Sequence, residues 1–196
     1  MKHEWIPTET GWSVPCLHRI GGGEALVCVS AHGFGSSKDS PTAQLLAGEL
    51  PRHGIGTLAL DLPAHGDSPV DGDALSIRHC LDDLARAEAR ALELAPGARV
   101  VYFSSSFGAY LNLIYLSTRP HRGTRSFLRS AAVEMPLLFH SPTPEQAEEL
   151  ARQGFSVLAV DMDAGHARLS GLLPSWRIWM PTTSFNCTAP GRSGSV

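Results

Sequence analysis

Three short runs of the chain are almost wholly apolar: residues 25–31, 55–60 and 99–104. Each ends at a polar or glycine-bearing stretch, and runs of this length read as strands buried on both faces. Between them the apolar spacing changes. Leu45, Leu46 and Leu50 fall at helical intervals within 41–52, with Ser40 placed as N-cap and Pro41 at the first helical position. Ile77, Leu81, Leu84, Ala87 and Ala91 mark a long amphipathic helix over 74–94. A further helix is predicted over 107–117, a strand over 126–133, and a helix over 145–153 with Thr143 as cap and Pro144 at its first position. Residues 4–20 alternate apolar and polar around Thr10-Gly11 and predict a hairpin of edge strands, because Pro7 and Pro15 are best tolerated at an edge.

Strands alternating with helices predict an α/β fold: a mostly parallel sheet with helices on both faces. Ligands of such sheets bind beyond the carboxyl ends of the strands, where His32, Asp61 and Ser106 fall. The chain has 196 residues, 43% hydrophobic and 18% charged, which suits one globular domain with a sizeable core. With a net charge of -3 and no basic stripe, nucleic acid is not an expected partner. No apolar run reaches the ~20 residues that span a bilayer, so no membrane association is expected. The N-terminus lacks the apolar core of a secretory signal, and Cys16, Cys28, Cys80 and Cys187 are scattered. Reduced thiols in a cytoplasmic protein, without a metal site, are the expectation.

The chemistry centres on Ser104-Ser105-Ser106-Phe107-Gly108, between a strand and a helix. A serine hydroxyl needs a base to become a nucleophile, and donors to meet the oxyanion it creates. A sharp strand-to-helix turn of G-x-S-x-G type presents such a serine, although here Ser104 replaces the first glycine. Two upstream segments extend the pattern: His32-Gly33-Phe34-Gly35-Ser36-Ser37-Lys38 after the first buried strand, and Asp61-Leu62-Pro63-Ala64-His65-Gly66-Asp67-Ser68 after the second. Gly21-Gly22-Gly23 precedes a strand rather than joining strand to helix, so it does not form a phosphate cradle.

With these three loops in this order, residues 24–139 resemble the α/β-hydrolase superfamily, especially its small serine esterases and serine-aminopeptidase-like group. The resemblance implies a serine hydrolase acting on carboxylic esters or related small acyl substrates through an acyl-enzyme, without a cofactor. It implies Ser106 as nucleophile and the backbone N–H groups of Phe34 and Phe107 as the oxyanion hole. It makes His32 and Gly33 parts of a braced loop, His65 a second brace, and Asp61 and Asp67 turn caps or loop anchors.

The family's acid and histidine follow the serine along the chain. Downstream of Ser106, His166 lies in a suitable loop, Asp163-Ala164-Gly165-His166, which makes His166 with Asp161 or Asp163 the candidate base and acid. The alternative is a non-catalytic fragment or relative that lacks both. Residues 1–135 read as the hydrolase core, 136–170 as the start of a cap insertion, and 171–196 as a tail without family resemblance. Shifted by one nucleotide, permitted codons of residues 175–187 can encode an acidic, helix-like segment. On that reading the chain is a frameshifted product whose C-terminal strands are missing.

Overall fold

The computed structural model describes residues 1–133, together with the helical positions Pro144, Glu145, Glu148 and Arg152. Six strands form one sheet: β1 (Lys2–Pro7), β2 (Ser13–Arg19), β3 (Leu26–Ala31), β4 (Ile55–Leu60), β5 (Arg99–Ser105) and β6 (Gly123–Arg129). Their order is β1-β2-β4-β3-β5-β6. Strands β4, β3, β5 and β6 run parallel, and the β1–β2 hairpin joins antiparallel on the β4 side.

Helices cover both faces, as the alternation predicts. Tyr102 and Phe103 are consecutive in β5 and so point to opposite faces. Tyr102 meets α2 (Ile77–Leu94) through the Glu88 carboxylate and packs on Tyr115 of α3 (Phe107–Thr118). Phe103 shares a cleft on the other face with Thr42, Ala43 and Leu46 of α1 (Pro41–Glu49). On the α2 side the core includes Leu81, Leu84, Ala87 and Ala91, all buried. None of the described helices is long and apolar enough to cross a membrane.

The register of the central strands positions the site. Ala31 pairs with Leu60 on one side and with Ser104 on the other. The carboxyl ends of β3, β4 and β5 are therefore level, and the loops that follow them emerge on one edge of the sheet.

The larger departures from the sequence reading have local reasons. Ser40 caps α1 by accepting from Ala43 N–H at 3.3 Å, but the helix ends at Glu49 rather than at 52. Pro51 carries no N–H, so residues Leu50–His53 tighten into a 3₁₀ turn closed by Gly54 at φ 71°. Leu45, read as core-facing, is 63% exposed; the buried positions of α1 are Ala43 and Ala47. Helix α2 begins after Ser76, whose hydroxyl accepts from His79 N–H at 3.1 Å. Strand β6 starts at Gly123, three residues before the predicted strand, and ends at Arg129. A Cβ at Gly123 would fall 1.8 Å from the Tyr102 ring, so glycine admits the chain to the sheet there. Polar Thr124 and Arg125 hid the start of this strand from a reading based on apolar runs.

Strand β2 is interior rather than an edge, despite Pro15. The Pro15 carbonyl accepts from Asp61 N–H at 2.8 Å, so the missing proline N–H faces the same flank. There β4 has already ended at Leu60, so the ladder loses little.

Candidate active site

Ser106 sits between the end of β5 and the start of α3, exposed, with φ 51° and ψ -116°. A non-glycine residue in such a region costs about 1–3 kcal/mol and persists only when its surroundings fix it. Here Ser106 N–H donates to Arg129 O at 2.9 Å, and Ser106 O accepts from Tyr110 N–H at 3.0 Å and Ala132 N–H at 3.2 Å. These bonds tie the turn to the first turn of α3 and to the exit from β6.

Gly108 makes the turn fit. A Cβ there would lie 2.4 Å from His32 O and 2.6 Å from Ala31 O, so α3 can abut the end of β3 only with glycine at this position. Ser104 occupies the place where the elbow pattern usually has its first glycine. Its side chain is fully buried, and its hydroxyl has no partner among the described residues. Replacing Ser104 by alanine should therefore stabilise the fold by about 1 kcal/mol, read from urea denaturation; a loss of stability would assign the hydroxyl a hidden partner.

The loop after β3 runs against this turn. A Cβ on Gly33 would stand 3.2 Å from Ser106 Cβ and 3.8 Å from its Oγ. The rings of Phe34 and Phe107 meet edge to face at 5.7 Å. The His65 ring lies 5.2 Å from Phe34 and 6.5 Å from Phe107. Ser106, Gly33, Phe34, Phe107, His32 and His65 thus converge at one end of the sheet.

Both histidines are buried and held through backbone. His32 Nδ1–H donates to Gly33 O at 2.7 Å, and its Nε2 accepts from Leu62 N–H at 3.1 Å. That pairing joins the loop after β3 to the loop after β4. Burial, with the neighbouring His65, pushes His32 down from 6.5 to about 3. His65 donates from Nδ1 to Pro63 O at 2.8 Å, and burial lowers its pKa too. His32 has both ring nitrogens occupied and stays neutral, which suits support rather than proton transfer.

Asp61 anchors the second loop. Its carboxylate accepts from Lys38 N–H at 2.6 Å and Asp67 N–H at 2.9 Å. A Cβ on Gly66, which has φ 55°, would fall 2.4 Å from that carboxylate. The sequence points to an anchoring role for Asp61 and Asp67 but does not single out Lys38. Its signal is slight: a lysine beside an aspartate, after Gly35-Ser36-Ser37.

His166, Asp161 and Asp163 lie outside the described residues, as do the boundaries expected for a cap and tail. Cys16, Cys28 and Cys80 are free and buried, and burial raises all three thiols, Cys28 to about 12.

A mostly parallel sheet with a strained serine between strand and helix, faced by a glycine loop from the neighbouring strand, is the framework of an α/β-hydrolase. The chain belongs to the serine aminopeptidase S33 family of hydrolases, whose profile matches residues 24–146. Its fold is similar to that of the esterase Est1E from Butyrivibrio proteoclasticus, solved with ferulic acid bound. The TM-score is 0.67 at 16% identity, over 90% of this chain and 71% of that one. It is likewise similar to the mouse α/β-hydrolase domain-containing protein 10, with a TM-score of 0.68 at 13% identity, over 91% of this chain and 70% of that one. No curated protein is significantly similar to it in sequence.

Proposed function

We propose that this hydrolase acts by acyl transfer through Ser106, on carboxylic esters or related small acyl substrates. The observation that carries the reading is the backbone of Ser106: exposed, at positive φ, on the turn that Gly108 and Gly33 crowd. Ser106 Oγ attacks the substrate carbonyl while a base removes its proton. The carbonyl oxygen becomes an oxyanion, which the amides of Phe107 and Phe34 stabilise; one such donor contributes about 3 kcal/mol to the transition state. The alcohol or amine leaves with a proton, and water then releases the acid from the acyl-enzyme. His166, with Asp161 or Asp163, is assigned as base and acid on the sequence pattern alone. Esterases recur among the similar folds, which favours an ester as substrate.

A fluorophosphonate probe tests this, because it reacts with an activated serine and mimics the tetrahedral adduct. The expected result is a single covalent adduct on Ser106, abolished by Ser106→Ala. Folded protein that takes no label would refute the acyl-transfer reading and leave a non-catalytic relative of the family.

A further inference from the structure

Lys38 is 2% exposed, a rare state for lysine. Its Nζ donates to Asp67 Oδ2 at 2.6 Å and to Asp39 Oδ2 at 2.8 Å, and lies 3.0 Å from Asp61 Oδ2. Burial alone would depress its pKa, but hydrogen bonds to Asp39, Asp67 and Asp61 outweigh it and hold the ammonium above its ordinary value. The ammonium form is therefore favoured, and it joins two loops. Lys38 ends the segment that begins at Gly33, whereas Asp61 and Asp67 belong to the loop after β4.

The segment is pinned at its other end as well. His32 holds Gly33 O with one ring nitrogen and Leu62 N–H with the other. Residues 34–37 are thus slung between two ties to the same neighbouring loop. One tie is neutral and sits beside Ser106; the other, at the far end, joins the Lys38 ammonium and its backbone N–H to Asp61. A buried ion pair is a poor way to gain stability, because desolvation offsets much of the attraction. It is a good way to fix geometry, since both partners must stay together to avoid a bare buried charge.

We propose that Lys38 is a positioning residue. Through Asp61 and Asp67 it sets where the Phe34 amide lies relative to Ser106, and so how well the oxyanion is met. The proposal rests on the acyl-transfer reading for its catalytic part; the ordering of residues 33–38 does not depend on that reading.

The test pairs fluorophosphonate labelling kinetics with amide hydrogen exchange, on the full chain, for wild type, Lys38→Met and Asp67→Asn. Lys38→Met removes the ammonium from buried Asp61, which keeps its bonds from the backbone N–H groups of residues 38 and 67. Asp67→Asn is the milder change, since Asp67 is 62% exposed and its backbone bond to Asp61 survives. The expected result is a rate of adduct formation reduced by about tenfold or more in Lys38→Met, and less in Asp67→Asn. The half-saturating probe concentration should stay within about twofold, because the loss is of alignment rather than of binding. Exchange should accelerate in residues 33–38 while the amides of β3 and α2 keep their protection.

Unchanged labelling in a folded variant would overturn the catalytic role. Exchange that rises equally across the sheet would overturn it too, since that marks a purely structural lysine. If Lys38→Met does not fold, Asp67→Asn decides by the same readouts. If wild type takes no label, the acyl-transfer reading fails separately, and exchange alone decides whether Lys38 orders the loop.

Discussion

Gly108→Ala should cost about 3 kcal/mol or more of stability and take Ser106 out of its turn. The added Cβ would lie 2.4 Å from His32 O, 2.6 Å from Ala31 O and 2.8 Å from Ala31 C, well inside ordinary contact. Those atoms are backbone at the end of β3, which is paired on both sides with β4 and β5. The strand cannot step aside, so α3 must retreat. Its retreat strains the bonds from Tyr110 N–H and Ala132 N–H to Ser106 O, and with them the exposed serine. Denaturant unfolding followed by tryptophan fluorescence, beside fluorophosphonate labelling, reads both effects. Gly48→Ala is the matched control. Gly48 lies within α1, and a Cβ there would meet nothing within 4 Å, so the same substitution should stabilise by about 0.5–1 kcal/mol. If the two variants behave alike, α3 does not abut β3 as described.

Asp83→Asn should make the protein more stable at pH 8 and change its pH profile. Asp83 is 2% exposed on α2, and its Oδ1 has no hydrogen-bond partner among the described residues. Burial raises its pKa from 3.8 to about 7, with Trp12 opposing and Asp82 adding to the rise. A carboxyl held above its unfolded value keeps its proton in the folded state after the unfolded chain has lost it. Its stabilising effect is complete below pH 3.8 and is lost progressively up to about pH 7. Above that, the native state carries an ionised buried acid, a burden on the order of 4 kcal/mol for three pKa units. His32, His65 and His18 act in the opposite sense, since burial lowers all three. Their neutral forms favour the fold fully above 6.5, and that contribution is lost as pH falls, for His32 toward about 3. The wild-type profile is the sum of a limb that falls and a limb that rises. The asparagine variant should keep the rising limb alone, with a gain of a few kcal/mol at pH 8 and almost none at pH 4. Equal stability of the two proteins at pH 8 would show that Asp83 is solvated.

Much of this molecule was legible in the sequence because its informative parts are level and short. The apolar runs at β3, β4 and β5 are hydrophobic on both faces, and they give way to polar residues at His32, Asp61 and Ser104-Ser105-Ser106. That is enough to place three loops on one edge and to set Ser106 between strand and helix. What escaped was pairwise. Nothing in the composition of 13–19 says that Pro15 sits where its neighbour has just ended. Nothing in Gly123-Thr124-Arg125 says that the strand predicted from Ser126 has already begun, until the Tyr102 ring is seen filling the space above Gly123. Lys38 looks like an ordinary surface lysine, because beyond its neighbour Asp39 its carboxylate partners, Asp61 and Asp67, come from another loop. Glu88 likewise reads as the polar face of α2, yet it is buried, accepting from Tyr102 and Tyr115 hydroxyls and from Arg122 N–H. Buried polar groups declare themselves only with their partners, and those partners are distant in sequence.

The level ends of β3, β4 and β5 also say where this protein can change. A strand rises about 3.3 Å per residue, and a slip of one position turns every side chain to the other face. One residue inserted into any of the three strands would lift its loop past its neighbours by more than a hydrogen bond's length. In β3 or β4 it would break the His32–Leu62 and Lys38–Asp61 ties at once, and in β5 it would carry Ser106 away from Gly33. An insertion past those ties meets no such constraint. Over generations, then, length variation in such a chain belongs outside the three strands and the segments 32–38 and 61–67, whose lengths act as a fixed gauge. Whatever tailors the hydrolase to a new substrate has to be added around that gauge rather than within it.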